Sequence, residues 1–422
     1  MSDLQTLTLL DPAIQDCPFP AYELLQREAP VFYDRRAGFW VITRYDDIRR
    51  ILTDPARFSS SATVELARES VDPVRASAIR EIYEAEGLQP MPTLSLLDDP
   101  RHKEIRAIFQ HALRAGKIKE LDSLVADIAR QLVDDFLPDG RCDVVRQFCV
   151  PLPLITICSQ VGVPIDDVWI IKRWTDAWVR RFSMMQSADE EEACVRQEIE
   201  FQRYFVPIID GLRRSPNGSL LSDLVNLCLS DGSQLSEAEL VSHLLADIFV
   251  GGSETSTNAM SEGILLLCRN ASQYALLQGD LDRHLPGFVD EVLRLQTPVQ
   301  GLYRVTTAAV ELQGVTIPAR SLLNLRFAAA NRDERHFSRP AELDVERNNS
   351  GSHLAFGSGI HHCIGAPLAR RELHWGFYTL LRHCMNIRLV PGANDFGHMP
   401  GLMLRALKEL HIDFDAAPTV SG

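Results

Sequence analysis

The chain has 422 residues, 45% of them hydrophobic and 24% charged, which is enough apolar material to bury a large core. Its formal net charge of -14 at pH 7 argues against nucleic acid or an anionic membrane as a general partner, because phosphate contacts require a basic surface. No apolar run approaches the ~20 residues that a membrane span needs, and the first residues lack a secretory signal pattern. We therefore expect a globular, cytoplasmic protein without a membrane anchor.

Along the chain, the first clear pattern is a strand followed by an aspartate-led helix within residues 39–60. The pattern from 101 to about 295 is mostly helical, and short strand patterns return at 308–319 and 407–414. No linker, repeat or low-complexity tract separates these regions. The sequence predicts a single domain over residues 1–422, mainly α with minor β.

One predicted helix is much longer than the others. It begins with the capping box of Ser236 and Glu239 and continues apolar for about 30 residues. Gly251 and Gly252 lie in its middle, where each glycine costs roughly 1 kcal/mol relative to alanine, so we expect a groove or a kink there. A helix crossing would explain the glycines equally well.

The segment "FGSGIHHCIGAPLARREL", residues 356–373, places Cys363 in a glycine-rich turn before a predicted helix. Unpaired N–H groups at a helix start lower a thiol pKa, so the position favours a charged sulfur. The nine cysteines of the chain are scattered, without a CxxC pair, which argues against zinc or a disulfide framework. Gly365 lets the backbone approach a flat group, and a single thiolate suits axial ligation of haem iron.

These residues carry a family resemblance. "FGSGIHHCIG" resembles the cysteine signature of the cytochrome P-450 haem-thiolate monooxygenases at every specified position. In the order of that family, "DDPRHKEIR", "GGSET" and "EVLR" resemble three further motifs, and the likeness spans nearly the whole chain. The resemblance implies a cytochrome P-450 fold, with a long central helix over haem and a small β region near the N-terminus. It also implies an enzyme that uses O₂ and two electrons to hydroxylate a substrate.

The resemblance further implies roles for individual residues around haem b. Cys363 would be the axial ligand of the iron, with Gly251, Gly252 and Gly365 close to the haem. Four basic groups would pair with the haem carboxylates, although a surface ion pair is the alternative for each taken alone: His102, Arg106, Arg304 and His361.

Catalytic and structural roles also follow from the resemblance. Thr255 would donate a hydrogen bond during oxygen activation, and Glu254 would relay protons from solvent. A charge network behind the haem would serve the fold and not the chemistry, and its members are Glu291, Arg294 and Arg347.

The substrate pocket is less defined, because the stretch 61–96 that would roof it is long and contains a charged, helix-like segment. Candidate lining residues are Asp247, Val250, Val299, Leu402 and Met403. Met184, Met185 and Met403 would serve equally well as core residues. Asp247 would bind a substrate hydroxyl or amine, or would pair with His243 or with another helix, and we favour such pairing.

The substrate expected from an apolar pocket is a terpenoid, fatty acyl or aromatic compound. Relatives of this length commonly receive electrons from a [2Fe–2S] ferredoxin with its reductase. Docking of that acidic partner needs basic residues around the cysteine loop, and the candidates are Arg114, Lys117, Lys119, Arg370 and Arg371. Solvated helix faces are the alternative for this set. Rival functions are a peroxide-driven peroxygenase, a haem-binding sensor and a purely structural helical protein.

Overall fold

The computed structural model describes residues 4–61, 63, 66, 73–183 and 186–417, and of residues 73 and 115–120 it describes the backbone alone. The described part is dominated by helices, and its short strands form three small sheets. The expectation of a mainly α fold with minor β is confirmed.

The α-helices fall into two groups along the chain. Those of the first half are α1 (Pro12–Asp16), α2 (Phe19–Glu28), α3 (Tyr45–Leu52), α4 (Pro73–Glu86), α5 (Arg101–Ala112), α6 (Ala115–Phe136), α7 (Pro151–Val161), α8 (Val168–Phe182) and α9 (Ala188–Arg214). Those of the second half are α10 (Leu220–Asn226), α11 (Glu237–His243), α12 (Thr255–Arg269), α13 (Ala271–Gly279), α14 (Leu281–Gln296), α15 (Phe327–Ala330) and α16 (Ala366–His383). The charged segment of the predicted roof is thus helical, as α4.

The strands are short and are numbered here in chain order. They are β1 (Val31–Asp34), β2 (Phe39–Ile42), β3 (Phe58–Ser59), β4 (Arg141–Asp143), β5 (Leu302–Thr306), β6 (Val310–Leu312), β7 (Val315–Ile317), β8 (Leu322–Leu325), β9 (Cys384–Leu389) and β10 (His411–Ala416). The predicted strand patterns at 39–60, 308–319 and 407–414 all contain strands.

The largest sheet has the strand order β1-β2-β8-β5-β3. The β2–β8 pair is parallel, with Trp40 opposite Leu323, and the other pairs are antiparallel. This sheet joins the N-terminal region to the strands that follow α14, and so it places Arg304 of β5 beside the N-terminal segment. The other sheets have the orders β4-β10-β9 and β6-β7.

The long predicted helix is a continuous helical run from Glu237 to Arg269, capped by the Ser236 and Glu239 box as expected. Its central part, Leu244–Glu254, is π-helical and contains both glycines. Local π segments are frequent at functional sites because they widen the helix and displace side chains. The predicted irregularity at Gly251 and Gly252 is therefore a change of helical winding.

Two hydrophobic clusters share this run. The half that ends near Phe249 packs with residues of α5, α7, α8 and α9, and the half after Ala259 packs with residues of α6, α14 and α16. The π-helical segment consequently lies between the two cores, in the middle of the protein. No helix among the described residues is long and apolar enough to cross a membrane.

Candidate functional site

The cysteine turn is held by its backbone. Cys363 N donates to Phe356 O at 2.9 Å, and Gly359 has a φ of +69°. A Cβ on Gly359 would lie 2.2 Å from Leu52 O, so only glycine fits where this turn approaches α3. Gly365 caps α16, whose first turn contains Pro367, a residue that suits an early helical position. The sequence thus fixes the position of the Cys363 sulfur just before a helix start.

The Cys363 thiol lines an internal cavity, because its side chain is accessible although protein atoms surround it. Burial raises its pKa, and the N–H groups of Gly365 and Ala366 and the charge of Arg106 lower it less than burial raises it. The prediction that the helix start favours a charged sulfur is therefore wrong for the protein alone. A metal cation bound at sulfur would supply the missing stabilisation.

Three of the four predicted haem-carboxylate partners lie together beside this turn. The His102 and His361 rings lie 4.2 Å apart, and His361 Nε2 is 3.1 Å from Ser60 Oγ. Arg106 Nη2 donates to His362 O at 2.7 Å. Burial, followed by the nearby charge of Arg304, lowers the pKa of His361 to about 3.

Arg304 completes the group and is the most informative member. It is buried, its Nη1 donates to Tyr303 O at 2.7 Å, and burial lowers its pKa to about 10. His102 Nε2 is also buried and has no hydrogen-bond partner among the described residues. In the part of the chain that the structure describes, Arg304 has no carboxylate within salt-bridge distance, and it lies near the orphaned nitrogen of His102. This arrangement fits an anionic ligand. The residues present therefore fit a haem with its two carboxylates.

Gly251 and Thr255 contact each other at the end of the π-helical part of the long run. Gly251 is exposed although it lies in the middle of the protein, so it faces an internal space, and Thr255 Oγ1 donates to Gly251 O at 2.9 Å. Gly252 faces α7 instead, where a Cβ would lie 3.5 Å from Ile157 Cγ1. Of the two glycines, Gly251 is the one that opens the run toward the site.

Glu254 is buried and turned toward α8. Its Oε1 accepts a hydrogen bond from Thr175 Oγ1 at 3.0 Å and lies 3.3 Å from Lys172 Nζ. Lys172 also pairs with Asp176, whose side chain is 47% exposed. Burial raises the pKa of Glu254, and the charge of Lys172 opposes that effect. Sequence reasoning missed Lys172, Thr175 and Asp176, because nothing local marks an ion pair with a helix some 80 residues away.

The predicted charge network has the expected geometry. Arg294 and Glu291 are fully buried, with Nε to Oε1 at 2.5 Å and Nη2 to Oε2 at 2.9 Å. Arg347 Nε donates to Glu291 Oε1 at 3.0 Å, and Asp344 N donates to Oε2 at 3.0 Å. Arg294 also binds the carbonyl groups of three residues after α15: Asn331, Pro340 and Glu342. The network ties α14 to the segment that leads to the cysteine turn.

Asp247 pairs with His243, at 2.6 Å between Oδ2 and Nδ1, and accepts a hydrogen bond from Leu94 N at 3.1 Å. This is the pairing that we favoured over substrate binding. The negative charge of Asp247 also raises the pKa of Cys363, as the smallest of the causes.

A cavity of about 270 Å³ lies between α8, α9 and the long helical run, under residues 90–97. None of the five predicted pocket residues, all in the described part of the chain, lines it. Leu402 and Met403 are buried in a core cluster with Phe39 and Tyr303, because the C-terminal loop packs under the large sheet. Their assignment to the substrate pocket stays a prediction. Val250 is also buried, and Val299 bridges to Leu404. Met184 and Met185 lie outside the described residues.

The basic residues expected near the cysteine turn have nearby counter-charges. Arg370 pairs with Asp290, and Arg371 Nη1 lies 3.4 Å from Asp122 Oδ2. Arg114 Nη1 is 3.6 Å from Asp223 Oδ2, and the side chains of Lys117 and Lys119 lie outside the described residues. The positive electrostatic potential around the cysteine turn is therefore weaker than the number of basic residues alone indicates.

Glu372 of α16 is an acid that sequence reasoning missed. It is buried against α12, Ser256 Oγ donates to its Oε2 at 2.6 Å, and its Oε1 has no partner among the described residues. Burial raises its pKa to about 8, so the carboxyl group is mostly protonated at neutral pH.

This raised pKa predicts a pH-dependent stability. The folded state binds a proton that the unfolded state has released above its ordinary pKa, so stability falls as pH rises toward 8. Relative to Glu372→Gln, the wild-type protein should lose about 1.4 kcal/mol per pH unit between pH 5 and 7. Urea unfolding at each pH measures this difference. Glu84→Gln, a change of an exposed glutamate on α4, should give a flat difference, and an equally flat result for Glu372→Gln would contradict the prediction.

Comparison with known proteins agrees with this site. The Cytochrome P450 family model matches residues 193–392. Cytochrome P450 monooxygenase PikC of Streptomyces venezuelae is 34% identical over 94% of this chain and 90% of its own. The Steroid C26-monooxygenase of Mycobacterium tuberculosis is 31% identical over 94% of each chain.

A solved structure extends the agreement to the fold. Cytochrome P450 CREJ, in complex with (4-ethylphenyl) dihydrogen phosphate, has a TM-score of 0.88 and 28% identity, covering 98% of this chain and 100% of that one. The expected cytochrome P-450 fold is confirmed. The chain belongs to the cytochrome P450 family and is a haem-iron monooxygenase of the bacterial type.

Proposed function

We propose that this monooxygenase uses O₂ and two electrons to hydroxylate a small to medium hydrophobic substrate, with haem b as the resident cofactor. The observation that carries the proposal is the pairing of buried Glu254 with Lys172 and through it with Asp176, next to the hydroxyl group of Thr255. A peroxide-driven peroxygenase or a haem-binding sensor needs no such connection between solvent and the hydroxyl group of Thr255.

In this proposal Cys363 holds the haem iron, and four basic residues hold the haem carboxylates: His102, Arg106, Arg304 and His361. When bound, haem with a thiolate ligand supplies the chemistry that cleaves the O–O bond of dioxygen. The chain contributes the geometry around it. Gly251, without a side chain, leaves room for a small molecule beside the helical run.

Proton delivery is the second contribution of the chain. Asp176 meets solvent, Lys172 links Asp176 to Glu254, and Glu254 directly precedes Thr255. Rotation of the Glu254 side chain away from Lys172 would carry a proton to the turn that holds Thr255. The Thr255 hydroxyl donates to Gly251 and keeps its lone pairs, so it would accept a hydrogen bond from the protonated carboxyl group and orient it, without itself taking up the proton.

The substrate class proposed is terpenoid, fatty acyl or aromatic, with hydroxylation as the reaction. The cavity is lined mainly by apolar side chains such as Trp178, Phe201 and Leu245. Two relatives support an apolar substrate, since one is a steroid C26-monooxygenase and another a methyl-branched lipid omega-hydroxylase. We further propose a cytoplasmic enzyme with its folded unit spanning residues 1–422, which receives electrons from a [2Fe–2S] ferredoxin through the face of Arg370 and Arg371.

The test is turnover of the haem-loaded enzyme under ¹⁸O₂ with ferredoxin, its reductase and a panel of apolar compounds. One ¹⁸O atom per product supports the monooxygenase, whereas product formed with hydrogen peroxide alone, or no product with any donor, supports a rival. Glu254→Gln should lower the rate by on the order of 10²-fold, because it removes a general acid. Glu237→Gln makes the same change earlier in the same helical run and should leave the rate unchanged.

A further inference from the structure

The cavity wall contains a buried ion pair in otherwise apolar surroundings. Arg181 of α8 and Glu198 of α9 both line the cavity, and their side chains are only 6% and 4% exposed. Arg181 Nη1 lies 2.9 Å from Glu198 Oε2, and the Tyr83 hydroxyl donates to the same oxygen. The other carboxylate oxygen, Glu198 Oε1, is buried and has no hydrogen-bond partner among the described residues.

An acceptor of this kind is unusual in a folded protein. A buried carboxylate oxygen without a donor carries the full penalty of its lost hydration, so it is expected to have a partner in the working state. Arg181 is not in the same position. It contacts Glu198, the Tyr83 hydroxyl and also Glu191, at 3.4 Å, so its charge is already compensated. Among the described residues no donor meets Glu198 Oε1, which leaves this acceptor for a ligand.

Charge decides between the possible donors. Among the described residues, the guanidinium groups of Arg75 and Arg181 face the carboxylates of Glu191 and Glu198, and the cluster is balanced. A carboxylate ligand would meet Glu198 as a like charge. An ammonium ligand would add an uncompensated buried cation. A neutral hydroxyl group donates one hydrogen bond and leaves the balance unchanged.

We propose that Glu198 is a specificity-determining residue that selects hydrophobic substrates already carrying a hydroxyl group, which donates to Glu198 Oε1. The inference rests on the proposed function and narrows its substrate class to apolar alcohols. Glu198 belongs to the wall formed by α9, and Leu245 and Ala246 of the long helical run form another wall. When the substrate hydroxyl is bound at Glu198, the apolar part of the substrate would lie against the long helical run, which also contains Thr255. The class of reaction that supplies this substrate must install an alcohol before this enzyme acts.

The experiment measures binding of two matched probes, borneol and camphor, to the haem-loaded enzyme by equilibrium dialysis. The two share a carbon skeleton, but borneol offers a hydroxyl donor and camphor only a carbonyl acceptor. The wild-type enzyme should prefer borneol by about tenfold or more, because a carboxylate acceptor rejects a ligand that has no donor. Equal affinities, or a preference for camphor, would overturn the proposal without any variant being made.

Glu198→Gln sharpens the test. The amide oxygen still accepts from Arg181, and the amide NH₂ then replaces Oε1 as a donor, so the preference should reverse toward camphor. Glu191→Gln is the matched control, since it also removes a carboxylate from Arg181 but does not line the cavity, and it should keep the wild-type preference. If both variants weaken both probes equally, Glu198 has only a structural role and the proposal fails. Dialysis requires no turnover, so this failure is separate from failure of the ¹⁸O₂ experiment.

Discussion

Cys363→Ala is expected to abolish O₂-dependent hydroxylation while leaving the protein folded. The side chain is accessible and belongs to none of the hydrophobic core clusters of the described residues. The turn is held by backbone groups such as Cys363 N and Phe356 O. Without the sulfur, the haem pocket keeps its basic residues but loses the only candidate axial thiolate beside them. Haem should therefore bind more weakly and without the spectrum of a thiolate ligand.

The measurement is the absorption spectrum of the reduced, carbon monoxide-bound protein, with turnover measured on the same sample. Cys17→Ala is the control, because Cys17 is exposed and lies on the N-terminal segment, and it should behave as wild type. Other cysteines are poor substitutes for the ligand. Burial raises the pKa of Cys158 and of Cys384 to about 12, so neither forms a thiolate readily. A thiolate spectrum retained by Cys363→Ala would refute the assignment of the ligand.

The parts of the site that were predictable from sequence are those encoded within a few residues. Glu291 and Arg294 are three positions apart on one helix, and His102 and Arg106 four apart, so each pair must share a helix face. The glycine-bounded turn of Cys363 is equally local. Such local relations can be predicted from sequence, because the backbone geometry of one helix or turn is enough to place the groups together.

The parts that were missed depend on contacts between distant segments. Lys172 meets Glu254 only because α8 packs against the π-helical part of the long run, and Arg181 meets Glu198 only because α8 packs against α9. The apolar spacing predicts a long helix but does not encode π winding over residues 244–254. The burial of Met403 in a core cluster was not predictable either, because loop residues carry no periodicity that distinguishes core from cavity.

The pKa of Cys363 shows a different limit of sequence-based prediction: the effects that act on the sulfur can be named, but their relative sizes cannot. The N–H groups of Gly365 and Ala366 do act on the sulfur as predicted from the helix start. Burial acts in the opposite direction and is larger, and the degree of burial cannot be read from the turn itself. Burial also dominates at Arg304, where it lowers the pKa of the guanidinium group. A lowered arginine pKa marks a buried cation whose charge the protein alone does not compensate.

Glu291→Gln is expected to destabilise the folded protein by about 3–5 kcal/mol, because it leaves two buried guanidinium groups without their carboxylate. Glu291 accepts hydrogen bonds from Arg294, from Arg347 and from the N–H of Asp344, and the amide of glutamine would turn a donor toward some of these donors. Proteins are typically stable by only about 5–15 kcal/mol, so much of the chain would fail to fold or to take up haem.

Urea unfolding and haem content per folded protein measure the effect, and Glu342→Gln is the matched control. Glu342 also forms an ion pair, with Arg339, but both side chains are more than 60% exposed, so its loss should change stability by less than about 1 kcal/mol. Both variants remove one carboxylate from an arginine contact, but only Glu291 is buried. A difference in stability between the two variants therefore measures the effect of burial and not of the charge alone. Because the network binds the segment before the cysteine turn and touches no candidate catalytic group, the folded, haem-loaded fraction of Glu291→Gln should turn over at the wild-type rate. A variant with wild-type stability and a lowered rate would instead place Glu291 in the chemistry.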